Sequence, residues 1–92
     1  MTTDRASRTV RIANDLGIHL RAAGLLVQVA GRYDSQVWIE RRGTRANGKS
    51  IMSVLSLAAA KGVELSIMAE GPDAVDAVAA IAQLIENRFE VS

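Results

Sequence analysis

Residues 63–70 read VELSIMAE, and their alternation is the clearest structural signal in the chain. Val63, Leu65, Ile67 and Ala69 fall on one side, and Glu64, Ser66, Met68 and Glu70 on the other, which is the period-two pattern of a strand with one buried face. Directly downstream, Gly71-Pro72-Asp73 opens a helix. Proline is placed at a first-turn position where its missing N–H costs nothing, with Asp73 and Asp76 near the positive end of the dipole. The expected core stripe of that helix is Val75, Val78, Ile81, Ala82 and Ile85. Directly upstream, GKSIMSVLSLAAAKG (48–62) predicts a second helix, with Ser50 as its N-cap and Gly62 as its terminator.

Further toward the N-terminus, Gln36 to Glu40 alternates again, with Val37 and Ile39 on one face. RRGTRAN (41–47) supplies a turn at Gly43 into a short partner strand, so the two form a hairpin. Trp38 lies on the face opposite Val37 and Ile39, where it either closes the outer side of the sheet or meets a partner. Ala23, Leu26, Val27 and Ala30 recur at helical spacing, and Gly31 is available as a stop. Thr9 to Ile12 reads as a short half-buried strand ending at the turn-forming pair Asn14-Asp15, ahead of Gly17. The order is therefore strand, helix, strand, strand, helix, strand, helix. An α+β two-layer sandwich, with helices over one face of a largely antiparallel sheet, buries every apolar stripe named.

Ninety-two residues with 49% hydrophobic content make one domain, residues 1–92, with the polar residues 1–6 expected to fray. No apolar run approaches the roughly 18 residues of a membrane span, so no membrane insertion is expected. The start MTTDRASR lacks the apolar segment of a secretory signal, and the expected location is cytoplasmic. With no cysteine and one histidine, neither a disulfide framework nor a metal site is expected, nor any other cofactor. Eleven basic against ten acidic residues leave a net charge of +1, too little to pull the chain toward nucleic acid or an anionic membrane. Arg41, Arg42 and Arg45 form a local basic cluster. A small RNA-binding domain built on them calls for stacking aromatics, and Trp38, Tyr33 and Phe89 are scattered. Nor does a lone histidine without a Ser or Asp at recognisable spacing make a hydrolytic triad.

That histidine sits in DLGIHLRAAG (15–24), between Ile18 and Leu20. A lone histidine among apolar residues is more often a packing or surface residue than a reactive one, but its position changes the weighting. A helix that starts near Leu20 leaves its first N–H groups without intrahelical partners, so His19 lies against an anion-binding end. A phosphoryl group on the imidazole finds those amides and the Arg21 guanidinium within reach. Imidazole is a nucleophile near neutral pH, and a phosphorus–nitrogen bond is labile enough to pass the group on. Arg21 as an ordinary solvated residue is disfavoured, because a cation sits poorly at a helix start.

Ser50 as an N-cap is worth about 1 kcal/mol, and Ser53 three residues on means there is no capping box. In the helix after it, Ile51, Val54, Leu55 and Ala58 cluster while Met52 and Leu57 flank them, an apolar arc wider than half the circumference. Either some of these residues face water as a docking surface, or the core encloses more of the helix.

GIHLRAAGLLVQVAGRYDSQVWIE (17–40), followed by ANGKSIMSVLSLAAAKGVELSIMAEG (46–71), resembles HPr, the histidine-containing phosphocarrier family of the bacterial phosphoenolpyruvate-dependent phosphotransferase system. The similarity runs from about residue 8 to 88, with a Gly-x-His-x-Arg signature around His19 and a Lys-Ser-Ile-Met segment around Ser50. It implies an HPr-like open-faced sandwich, a four-stranded antiparallel sheet with three helices on one face (βαββαβα). It also implies a carrier, not an enzyme, that takes a phosphoryl group on Nδ1 of His19 from phospho-enzyme I and passes it to enzyme IIA domains, with Arg21 neutralising charge. Leu20, Ile51, Met52 and Leu55 are implied as the docking patch, and Ser50 as a regulatory site for the ATP-dependent HPr kinase/phosphorylase.

The family's arginine is usually followed by proline and its intervening residue is usually small, whereas Leu20 and Ala22 stand here. Ala22 leaves the loop less constrained than proline does. These departures leave open a regulatory, nitrogen-related relay not coupled to sugar uptake.

Overall fold

Four strands and three helices alternate along residues 4–90, the part of the chain that the computed structural model describes. They are β1 (Asp4–Arg11), α1 (Leu20–Ala30), β2 (Gln36–Arg41), β3 (Thr44–Asn47), α2 (Ile51–Leu55), β4 (Glu64–Gly71) and α3 (Ala74–Glu86). The sheet runs β1-β4-β2-β3, with every pairing antiparallel. The alternating stretch that opens the sequence reading is thus central in the sheet, flanked by β1 and β2. Its Leu65, Ile67 and Ala69 are buried together with Val37 and Ile39 of β2 and Val10 of β1. The three helices cover that face: α3 lies over β1 and β4, α1 packs on α3 and α2, and α2 reaches β3.

The hairpin between β2 and β3 turns through Arg42 and Gly43, both at positive φ (48° and 83°), the twist-compatible two-residue geometry. On the outer face Trp38 pairs with Met68 across β2 and β4, and the Arg45 guanidinium stacks 5.4 Å from its ring centre. Trp38 is thus half-buried on the outer side of the sheet, between Met68 and the Arg45 guanidinium. Tyr33 is half-buried against the core and Phe89 is buried, so the three aromatics do not share a stacking surface.

Four expectations change, the first two because a tertiary contact outweighs a local pattern. Residues 4–6, expected to fray, pair with Gly71, Glu70 and Ala69 as the start of an eight-residue strand; residues 1–3 lie outside the described residues. The second helix stops at Leu55, seven residues short of Gly62. Leu57 and Ala59 turn inward and are buried, and Ala58 between them takes a left-handed backbone (φ 49°) that ends the helix. Pro72 lies before the N-cap of α3, Asp73, instead of inside the first turn. Val75 is 62% exposed: about 100° around the helix from Ala74, it lies just past the edge of the buried arc, whose nearest member is Ala82.

The last turn of α3 is closed by Phe89 N–H to Leu84 O (2.9 Å) and Arg88 N–H to Ile85 O (3.0 Å), the paired bonds of a Schellman end. Arg88 occupies the left-handed position that glycine usually fills, φ 60°, and Phe89 is tucked into the core.

Candidate functional site

The loop between β1 and α1 is shaped residue by residue. Asn14 donates from Nδ2 to Gly17 O (2.7 Å), and Gly17 N–H returns to Asn14 O (3.2 Å), closing a tight turn. Gly17 is required there twice over. Its φ is 63°, and a Cβ on it would lie 2.3 Å from Ala59 O. Ile18 then anchors the loop, its side chain buried and its N–H bonded to Ala59 O at 2.9 Å.

His19 follows as the N-cap of α1, with an extended backbone (φ −84°, ψ 179°). Its carbonyl accepts the Ala23 N–H (2.9 Å), and its ring Nδ1 accepts the Ala22 N–H at 3.3 Å. The imidazole thus does the work usually given to a serine or aspartate cap. Two consequences follow for its chemistry. Nδ1 carries no proton in this arrangement, and it faces the positive end of the helix dipole. At 3.3 Å the bond is long and easily given up. Among the described residues the amides of Leu20 and Arg21 meet no protein acceptor, so two more donors stand beside the ring.

Arg21 is exposed and forms no ion pair among the described residues. Leu20 is 67% exposed. Ser50 caps α2, its Oγ accepting the Ser53 N–H at 3.3 Å. Behind it Asn47 Oδ1 accepts the Lys49 N–H (2.9 Å), and Lys49 Nζ donates to Tyr33 O (2.7 Å). Met52 is 75% exposed and Ile51 39%, whereas Leu55 packs half-buried against the core. Helices α1 and α2 pack on each other, the first capped by the His19 ring and the second by the Ser50 hydroxyl. Leu57, expected on the flank of the apolar arc, is buried and offers nothing to a partner.

Leu16 is a residue that sequence reasoning misses. It is 78% exposed three positions before His19. Its signal is an apolar side chain in a turn, between Asp15 and Gly17, that belongs to neither neighbouring periodic pattern. Beside it, the Lys61 ammonium bonds Asp15 (2.7 Å) and, with the more distant Arg88 charge, holds that carboxyl below its usual value. Asp15 therefore stays ionised, and the exposed pair steadies the loop only modestly. No group of three or more His, Cys, Asp or Glu gathers to hold a metal among the described residues, and no helix among them is long and apolar enough to cross a membrane.

Comparison with known proteins matches residues 6–87 to the family described as PTS HPr component phosphorylation site. The phosphocarrier protein HPr of Treponema pallidum is 48% identical over 83 residues, covering 90% of this chain and 94% of that protein. The HPr of Pseudomonas aeruginosa is 46% identical over 82 residues, covering 88% and 91%. Among solved structures, HPr from Thermoanaerobacter tengcongensis superposes with a TM-score of 0.89 at 38% identity, covering 95% of this chain and 98% of that one. HPr from Bacillus anthracis gives 0.84 at 36% identity, covering 88% and 96%.

Proposed function

The chain belongs to the HPr family of phosphotransferase-system phosphocarriers, and on that premise we propose that His19 accepts a phosphoryl group from phospho-enzyme I and hands it to enzyme IIA domains. The observation that carries this reading is His19 Nδ1 seated on the Ala22 amide at the N-terminus of α1. Nδ1 has a free electron pair once that long bond opens, and Nε2 keeps the ring proton. The pair attacks phosphorus, the bond from phosphorus to the donor nitrogen breaks, and the donor leaves with those electrons as a neutral imidazole. Afterwards the amides of Leu20, Arg21 and Ala22 are available to the phosphoryl oxygens, and the Arg21 guanidinium offsets their charge. Passing the group on reverses the same steps.

In this role the protein is a substrate of phosphotransferase enzymes in the cytoplasm, not a catalyst. Leu20, Ile51 and Met52, with the accessible part of Leu55, form the apolar surface that donor and acceptor share, and Leu16 extends it. Flexible Met52 suits a surface that must fit more than one partner. Ser50 is the site of a regulatory phosphate added by HPr kinase/phosphorylase. Its Oγ already lies at the start of α2, where negative charge is favoured, so the mark changes the docking surface without unfolding it.

The test is transfer from labelled phosphoenolpyruvate through purified enzyme I. Wild type should gain an acid-labile phosphate and His19→Ala none. An acid-stable product, or equal labelling of the variant, contradicts the reading.

A further inference from the structure

The turn after α2 is the platform on which the His19 loop rests, and one side chain holds that turn. Ala58 has φ 49°, a left-handed conformation that alanine keeps only where its surroundings impose it. Arg41, the last residue of β2, supplies the constraint: its Nη1 donates to Leu57 O at 2.8 Å and to Ala58 O at 3.1 Å. Both carbonyls belong to the turn beyond the helix, whose own last carbonyls are taken by the Ser56, Leu57 and Ala58 amides, so Arg41 ties the turn to β2 from another element. Arg11 and Lys61, which line the same hollow, are matched by Glu64 and Asp15, whereas Arg41 pairs with no carboxylate among the described residues.

The next residue carries the constraint onward. Ala59 O receives the Ile18 N–H at 2.9 Å, and the Gly17 backbone lies against the same oxygen. His19 follows directly, its N–H on Gly17 O at 3.1 Å and its ring nitrogen on the Ala22 amide. The connection from guanidinium to imidazole therefore consists of two consecutive residues of the turn, one hydrogen bond and two residues of the loop.

We infer that Arg41 is a positioning residue for His19, fixing the 57–59 turn and, through the Ala59–Ile18 bond, the imidazole against the start of α1. The kinetic part of this role rests on the phosphocarrier function proposed above; the structural part does not.

The test compares wild type with Arg41→Ala, Arg41→Lys and, as a control on the same hairpin, Arg42→Asn, which removes a neighbouring charge and tolerates the left-handed turn. Hydrogen exchange is read at the Ile18 amide against the Leu65 and Ile67 amides of β4, and phosphorylation is followed under varied enzyme I concentration. In Arg41→Ala, Ile18 exchange should rise about tenfold relative to β4, and the limiting transfer rate should fall about tenfold with half-saturation unchanged. Arg41→Lys should recover part of both, and Arg42→Asn should change neither.

Unchanged Ile18 exchange overturns the inference, as does acceleration equal to that at Leu65 and Ile67, which assigns Arg41 to general stability. Faster Ile18 exchange with an unchanged transfer rate also overturns it. Should enzyme I that is competent on its own carrier leave wild type unlabelled, the phosphocarrier reading fails, and Ile18 exchange alone then decides whether Arg41 holds the loop.

Discussion

Helices α2 and α3 are both rich in apolar residues, yet they use them in opposite ways. Over its 13 residues α3 buries Ala74, Ala77, Val78, Ile81, Ala82, Leu84 and Ile85 against the sheet. Over its five residues α2 buries only Val54, and leaves Ile51 and Met52 exposed. Helices this short are not stable by themselves. The Ser50 hydroxyl caps the start of α2, and the turn that follows its other end is held by the Arg41 guanidinium. The difference separates two placements of an apolar side chain: in α3 it holds the fold, and in α2 it is left facing solvent, where the proposed docking surface would use it.

The contrast can be tested from both sides. Truncating α3 should have the largest effect: Ile81 is fully buried, so Ile81→Ala should cost about 2–5 kcal/mol in denaturant unfolding. A loss below 1 kcal/mol would mean that α3 is not the main support of the core.

The start of α3 gives the next effect. Asp73 makes no cap bond within its own helix; its carboxylate accepts from the Ser35 hydroxyl (2.5 Å) and from the Ser35 and Asp34 amides (both 2.9 Å), tying α3 to the start of β2. The Ser35 hydroxyl, followed by the Asp34 amide, holds the Asp73 carboxyl below its ordinary value of 3.8. A depressed folded value means that the contribution is complete above pH 3.8 and is lost as pH falls through the lower folded value. Acid unfolding should therefore show a loss of stability below about pH 4 that is shallower in Asp73→Asn. An identical acid limb in the two proteins would remove this tie.

At the start of α2, Ser50→Ala should cost about 1 kcal/mol, the worth of one side-chain cap. The smallest effect on stability belongs to Met52→Ala, expected within about 0.5 kcal/mol because the side chain is 75% exposed. Its consequence should appear elsewhere, as a several-fold rise in the enzyme I concentration needed for half-maximal phosphorylation. A large loss of stability with unchanged partner binding would place Met52 with the residues of α3.

The same contrast explains how much of the molecule can be read from its sequence. Strand β4 is legible because Leu65, Ile67 and Ala69 alternate with polar neighbours and both faces keep their roles throughout. The two caps are legible because His19 and Ser50 each stand immediately before a helical pattern. The end of α2 is not, since LSLAAAKG continues to favour a helix locally. What breaks it is the burial of Leu57 and Ala59 and the carbonyl capture by Arg41, which lies 16 and 17 residues from the carbonyls it holds. The first residues of β1 are polar and become ordered only because β4 offers an edge to pair with. In the candidate site, residue types and positions along the chain can be read directly. The seating of the loop on Ala59 cannot, because it depends on the absence of a side chain at Gly17 and on a turn formed forty residues later.

The most direct test of the account is to phosphorylate the 15N-histidine-labelled protein with enzyme I and phosphoenolpyruvate and locate the phosphoryl group by 31P–15N coupling within the His19 ring. The account predicts coupling to Nδ1, together with a shifted Ala22 amide resonance as that donor turns from the ring to the phosphoryl oxygens. Coupling to Nε2, or a phosphate on Nδ1 that leaves the Ala22 amide unmoved, would contradict the claim that the start of α1 receives the transferred group.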